Sequence, residues 1–224
     1  MTTLLARPRD IRFEMLAEAP EVLDPAWLEA RRLFAPSPGF YNNPSLSPIA
    51  YDEQRRVLTC CAVDYFDTNA TRRLTRLDPE YWYPRPLGLH VVPVVGDAVF
   101  CARRSDAVAW YPSHWAMGVS ETLEPGDVSA VAAASRALKE ELEVRVTDAA
   151  NVEALDVLAN TFQGFDVLCL YRMNALIDVV TDWESGEYHL IPFADILDGR
   201  APGPWIPQTE AFAARLAEHV TSTH

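Results

Sequence analysis

The sequence has far fewer basic than acidic side chains. It contains 19 lysines and arginines against 32 aspartates and glutamates, which gives a formal net charge of −13. Binding to a nucleic-acid backbone needs a basic face, so this balance argues against a nucleic-acid partner. It does not argue against a small phosphorylated ligand, because a metal ion and a few arginines can neutralise such a ligand locally.

The chain also lacks a long apolar run. No stretch reaches the roughly 18 apolar residues that are needed to cross a bilayer. The first residues already include Arg7 and Arg9, which does not fit the apolar segment of a secretory signal peptide. We therefore expect no membrane partner and a cytoplasmic location.

Cysteines are few and form no recognisable framework. Cys60, Cys61, Cys101 and Cys169 match neither a zinc-binding nor a disulfide spacing. Adjacent cysteines such as the first two rarely bond to each other. We expect all four to be reduced residues buried in strands, as is usual in a cytoplasmic protein.

The apolar residues, 49% of the 224, suffice for a core, and their order predicts an α/β fold. Asp24 and Pro25 have the residue types of a helix start, so we predict a helix over residues 24–34. Gly96-Asp97 predicts a hairpin turn between two apolar strands. The predicted strands cover residues 46–51, 56–65, 87–95, 98–103, 115–119, 157–172 (one or two strands) and 188–193, and the later helices cover residues 128–143 and 207–220.

Residues 66–86 are polar and look irregular, so we place a boundary there. This gives an amino-terminal extension over residues 1–85 and a main domain over residues 86–224.

The most informative motif joins a glycine turn to an acidic helix. Glu124 follows Gly118 at a spacing of five residues, and the predicted helix then carries Arg136, Glu140 and Glu141. Carboxylates held close together repel each other, and a divalent cation such as Mg²⁺ relieves this repulsion.

A helical wheel divides this helix into two sides. Residues 128, 131, 135, 138 and 142 form the predicted core side. The opposite side carries Ala133, Ala137, Glu140, Glu141 and Val144. On this interpretation a glutamate at position 137 would complete a cradle of three carboxylates, and Ala137 leaves a gap in it.

This motif resembles the Nudix box: Gly, five residues, Glu, seven residues, then Arg-Glu-aliphatic-any-Glu-Glu-any-Gly-aliphatic. The sequence departs from it in three ways. Eleven residues separate Glu124 from Arg136, Ala137 replaces the principal metal-binding glutamate, and Glu143 replaces the glycine. The resemblance implies a Nudix-type α/β/α sandwich around a mixed sheet, with a small α+β extension at the amino terminus.

The resemblance also implies an activity. The expected reaction is the Mg²⁺-dependent hydrolysis of a nucleoside diphosphate linked to another moiety, with Mn²⁺ as a possible substitute and a homodimer as a possible assembly. Glu140 and Glu141 would hold the metal, supported by Glu124 or Glu121, and a metal-bound water would attack phosphorus.

Further residues take roles by the same resemblance. Arg103 or Arg104, which precede the box on a strand, would contact phosphate bidentately. Glu184 or Glu187, on the segment after the box, would supply the general base that Ala137 lacks. The lone histidines His114 and His189 receive no role.

Three alternatives stay open. Residues 27–42, 57–65, 68–71 and 86–88 are similar to the vertebrate UDP-glucose pyrophosphatase branch, which implies a nucleoside diphosphate sugar. Ala137 instead favours a binding or regulatory module whose catalytic site has decayed. The box also resembles that of the isopentenyl diphosphate isomerases, but Gly118-Val-Ser120 lacks the cysteine that those enzymes carry there.

Overall fold

The computed structural model describes residues 10–33, 42–108, 111–160, 163–173 and 185–220. The small amino-terminal sheet has the order β1-β3-β2, with β1 parallel and β2 antiparallel to β3. Strands β2 and β3 form a hairpin, and their positions agree closely with the strands predicted over residues 46–51 and 56–65. The elements of this part are β1 (Arg12–Met15), α1 (Pro25–Arg32), β2 (Pro44–Asp52), β3 (Val57–Asp64) and α2 (Tyr65–Arg72).

The larger sheet has seven strands in the described ranges. Its main path is β10-β5-β4-β9-β8, with β6 paired to β5 and β7 paired to β4. Strands β4 and β9 are parallel and the other pairs are antiparallel, so the sheet is mixed, as predicted. Its strands are β4 (Leu87–Val95), β5 (Ala98–Arg104), β6 (Trp115–Met117), β7 (Val119–Thr122), β8 (Val152–Ala159), β9 (Phe165–Met173) and β10 (Ser185–Pro192).

Helices cover both faces of this sheet, which explains why β4 and β9 are almost continuously apolar. Successive side chains of a strand point to opposite faces. Val91 and Val167 accordingly pack with α3 (Ala130–Leu142), whereas Val92 and Leu168 pack with α4 (Phe193–Leu197) and α5 (Thr209–Val220). The α/β/α sandwich is therefore confirmed. Among the described helices, none combines the length and apolarity that a membrane crossing requires.

The amino-terminal sheet shares the core beneath α3. Ile11, Leu46 and Leu58 belong to the same buried cluster as Leu89 and Leu138. Asp10 also accepts a hydrogen bond from the Val131 amide at 2.9 Å, which holds the first turn of α3. The boundary at residue 85 stays a prediction, since apolar packing is continuous across it.

Two local predictions were wrong. Residues 65–72 form α2, although we predicted that residues 66–86 are irregular. Packing of Ala70 against Trp27 of α1 outweighs the weak helix propensity of the polar residues of this segment. The strand predicted over residues 115–119 is split at Gly118, whose φ is +69°. A Cβ at Gly118 would lie 1.9 Å from the Val91 carbonyl oxygen, so only glycine fits there.

The end of α3 explains one departure from the Nudix box. Glu143 occupies the C-cap position with φ 55° and ψ 17°, and the Val144 amide then bonds to the Leu138 carbonyl oxygen at 3.0 Å. This left-handed conformation favours glycine, because it brings the Cβ of other residues close to the backbone. Glu143 is therefore strained where the family pattern has glycine.

We expect Glu143→Gly to stabilise the protein by roughly 0.5–1 kcal/mol, because relief of the left-handed strain exceeds the added entropy of the unfolded chain. Urea unfolding measures the effect. Glu143→Ala is the matched control: it removes the carboxylate but keeps the Cβ, so it should give no comparable gain. Equal gains from both variants would show that charge, rather than backbone strain, sets the stability at this cap.

Candidate functional site

A pocket of about 300 Å³ opens where the Leu87 end of β4 meets α2. It draws on both halves of the chain, since α2 and Ser45 of β2 belong to the amino-terminal segment. Most of the other lining residues come from the larger sheet, α3 and residues 206–212. Its charged and polar lining includes Arg72, His90, Arg104, Glu121, Glu141, Asn160 and Asp166.

Two of the predicted metal ligands line this pocket. Glu121 lies on β7 and Glu141 lies near the end of α3. Burial raises the pKa of Glu121, while its hydrogen bond to the Thr122 amide and the charge of Arg136 partly offset that effect. The Arg136 guanidinium lies 3.8 Å from the Glu121 carboxylate.

Glu140 does not line the pocket. Its side chain is 52% exposed and forms an ion pair with Arg136 at 3.0 Å. Arg136 also bonds to the Asp127 carboxylate at 3.0 Å and to the Thr122 carbonyl oxygen at 3.4 Å. Burial alone would lower the pKa of Arg136, but these acidic neighbours raise it above its usual value. Arg136 thus neutralises much of the negative charge of Glu121, Asp127 and Glu140 without a metal ion.

The structure overturns our division of α3 into two sides. Ala133 and Ala137 are completely buried in the core, and Val128, which precedes the helix, is 69% exposed. The predicted core side was correct for Leu138 and Leu142. The helical wheel assigned the core side to the bulkier residues. Alanine is small enough to be buried or exposed, so its position on the wheel did not show that Ala133 and Ala137 are buried. Ala137 therefore does not mark an empty place in an open cradle.

Of the remaining predicted site residues that the structure describes, one lines the pocket and the others lie outside it. Arg104 lines the pocket, whereas the exposed side chain of Arg103 bonds to the Ser113 carbonyl oxygen at 3.2 Å. Neighbours on a strand face opposite ways, so only one of this pair can face the pocket. Glu124 and Glu187 are exposed and lie outside the pocket lining. Glu184 lies outside the described residues.

The described residues do not fit the metal site that we predicted. Within these ranges, no three His, Cys, Asp or Glu side chains come together as a metal site. Glu140 is held by Arg136, and a side chain at position 137 would enter the core. Glu121 and Glu141 remain as two carboxylates that line the pocket.

His90, in the middle of β4, was not predicted as a site residue. Burial lowers the pKa of His90 to about 4, so the ring is neutral at pH 7. Its Nε2 faces the Met117 carbonyl oxygen, which can only accept, so Nε2 carries the proton. The ring packs against Phe212 with centroids 4.4 Å apart. A histidine within the apolar run of residues 87–95 was the available signal.

A polar wall opposite α3, formed by Arg72, Asn160 and Asp166, was also not predicted. Asp166 lies on β9 beside Gly88 of β4, and Asn160 lies at the end of β8. Burial raises the pKa of Asp166 to about 6, although a hydrogen bond from Asn160 and the charge of Arg72 both lower it. A lone carboxylate within the apolar start of β9 was a usable signal. No local signal predicted that Arg72 would face it.

Comparisons with known proteins identify the fold. No family model and no curated protein matches the sequence. The solved structure of DR0079 from Deinococcus radiodurans is similar over 63% of this chain and 89% of its own, with 17% identity and a TM-score of 0.51. The Nudix domain of NrtR from Shewanella oneidensis, solved with ADP-ribose, is similar over 65% of this chain and 94% of its own, with 15% identity and a TM-score of 0.50.

A third similar structure is a bifunctional NMN adenylyltransferase/ADP-ribose pyrophosphatase from Francisella tularensis, solved with AMP and a manganese ion. It matches over 64% of this chain and 43% of its own, with 16% identity and a TM-score of 0.50. At these identities the likeness concerns the fold. The chain has the fold of the Nudix hydrolases, as its sequence predicted.

We expect Ala137→Glu to destabilise the protein by roughly 3–5 kcal/mol, because it places a carboxylate in a fully buried apolar site. Chemical denaturation measures the loss. Ala132→Glu is the matched control, because Ala132 is exposed on the first turn of the same helix, where a negative charge is tolerated. If both variants kept the stability of the parent within about 0.5 kcal/mol, our account of this helix face would be wrong.

We expect Asp166→Asn to raise the thermal midpoint more at pH 7.5 than at pH 4.5. An acid whose pKa is raised by folding stabilises the fold below its unfolded pKa, and this contribution is lost as the pH rises through about 6. The asparagine variant does not undergo this loss. Thermal unfolding at both pH values checks it, with the exposed Asp97→Asn as control.

The other ionisable residues that line the pocket are the same in parent and variant, so the comparison isolates the change at Asp166. They are Tyr65 and Arg72 on α2, His90 on β4, Arg104 on β5, Tyr111, Glu121 on β7 and Glu141 on α3. A variant-minus-parent difference that is the same at both pH values would contradict the raised pKa.

Proposed function

We propose that this chain binds a nucleoside diphosphate derivative in the pocket between α2 and the larger sheet. The observation that carries the proposal is that Arg104, in a strongly acidic chain, lines a pocket to which α2 contributes a second arginine, Arg72, beside Asp166. Arginine is the side chain best suited to phosphate, because its planar guanidinium can donate two parallel hydrogen bonds. Glu121, Glu141 and Asp166 supply acceptors for hydroxyl or amino groups of the rest of the ligand.

The ligand of one similar structure supports this ligand class. The Shewanella domain was solved with ADP-ribose. A pocket of about 300 Å³ is at the small end of the range for ligand sites, and it is open enough for a ligand to extend beyond it. We take ADP-ribose and UDP-glucose as representative probes.

Binding without hydrolysis is the function that the geometry supports best. Arg136 already compensates Glu121, Asp127 and Glu140, and the position of the family's principal metal ligand is a buried alanine. The role would then be that of a binding or regulatory module.

Hydrolysis that depends on Mg²⁺ or Mn²⁺ is the second candidate. Glu121 and Glu141 favour it, because both line the pocket that Arg104 enters. In that case a UDP-sugar is a further candidate substrate, and Glu141 is the residue on which turnover should depend.

We expect ADP-ribose or UDP-glucose to bind in the presence of EDTA, as measured by isothermal titration. Arg104→Gln should weaken binding at least tenfold, because it removes a charged donor from the pocket. Arg103→Gln is the matched control, since its side chain lies outside the pocket lining. Absence of binding, or equal losses from the two substitutions, would contradict the proposal.

The same ligands, incubated with Mg²⁺ or Mn²⁺ and followed by phosphorus NMR, separate the two candidates. A binding module leaves the diphosphate intact. Cleavage that falls by orders of magnitude in Glu141→Gln, with ligand affinity retained, would establish the hydrolase instead.

A further inference from the structure

The polar wall opposite α3 is built around one carboxylate, that of Asp166. The parallel pairing of β4 and β9 places Asp166 beside Gly88. A Cβ at Gly88 would lie 2.3 Å from Asp166 Oδ1, so the glycine leaves the space that the carboxylate occupies. Both residues line the pocket. Asp166 is therefore partly buried within the wall and also reachable by a ligand.

Asn160 is fixed so that it donates to this carboxylate. Its Oδ1 accepts a hydrogen bond from the Gly164 amide at 3.0 Å, which orients the side-chain amide and leaves its NH₂ group as the donor to Asp166. A carboxylate has about four acceptor sites, and a single amide occupies few of them. The orientation of Asn160 thus positions Asp166 and leaves it with acceptor capacity.

Arg72, which α2 contributes to this wall, favours the ionised form of Asp166. Arg72 exerts an attractive charge on the carboxylate, and its guanidinium lies 5.8 Å from the centre of the Tyr65 ring. Arg72 also donates to Asn69 Oδ1 at 3.4 Å. One face of the Tyr65 ring is therefore turned toward Arg72.

The chemistry of this wall selects hydrogen-bond donors. A phosphate group next to Asp166 would be repelled by the carboxylate. An apolar group would leave this buried charge without a hydrogen-bond donor. Two adjacent hydroxyl groups on a sugar ring suit a carboxylate well, because each hydroxyl can donate to one of its oxygens. Sugar hydroxyls also fit a pocket that takes a nucleoside diphosphate derivative.

We propose that Asp166 accepts hydrogen bonds from two vicinal hydroxyls of a sugar ring in the ligand, and that Asn160 and Gly88 position its carboxylate for this purpose. This inference rests on the proposed function and deepens it. Selectivity for a ligand that carries a sugar diol would then come from Asp166, whereas attraction of the diphosphate would come from Arg104.

A series of three ligands tests the inference: ADP-ribose with two sugar diols, ADP with one, and 2′,3′-dideoxy-ADP with none. Isothermal titration of the parent should show at least a tenfold loss of affinity at the step that removes the diol bound by Asp166. In Asp166→Asn that step should shrink to within about threefold, because the neutral side chain has one acceptor oxygen. Affinity for 2′,3′-dideoxy-ADP should change little.

Three controls keep the outcomes distinct. Asp97→Asn, an exposed change beyond the far end of β4, should behave as the parent does. Thermal unfolding checks each variant for folding, and Asp166→Ser serves if Asp166→Asn does not fold. An equal loss of affinity for all three ligands in Asp166→Asn would overturn the inference. So would an affinity step that persists in this variant, or the absence of any affinity step in the parent.

A parent that binds none of the nucleotides would contradict the proposed function, and D-ribose alone would then decide the present inference. Ligand-observed saturation-transfer NMR with D-ribose should give a signal with the parent that disappears in Asp166→Asn. Absence of that signal in the parent would overturn the diol site as well.

Discussion

The pairing of β4 with β9 is the constraint on which the rest of the molecule depends. Both strands are covered on their two faces, so their side chains alternate between the core under α3 and the core under α5. The same pairing brings Gly88 and Asp166 together at the start of both strands, where α2 adds Arg72. The core and the candidate site are therefore consequences of one strand register.

Arg136 explains why the acidic motif does not require a metal ion for its stability. It forms ion pairs with Asp127 and Glu140 and lies near Glu121, so the repulsion among these carboxylates is relieved within the protein. The Asp127 side chain is only 9% exposed, and the loss of its partner would leave a nearly buried charge. The motif is thus a structural element in its own right, whether or not the pocket also supports chemistry.

Much of the fold could be predicted because its signals are local. Gly96-Asp97 marks the β4–β5 turn, and Asp24 with Pro25 marks the start of α1. The site was harder to predict. Arg104, Glu121 and Glu141, to which the resemblance gave roles, line the pocket, but Asp166 and Arg72 meet only through long-range pairing and packing. Alanine gives no indication of which side of a helix it occupies, so the burial of Ala137 could not be read from the wheel.

A crystal structure of the chain with ADP-ribose would test the central claim most directly. Our account predicts the diphosphate within hydrogen-bonding distance of Arg104 and a ribose diol on the carboxylate of Asp166, with the Arg136–Glu140 ion pair intact. A ligand bound elsewhere, or a metal ion held by Glu140 and Glu141 after release of Arg136, would contradict it.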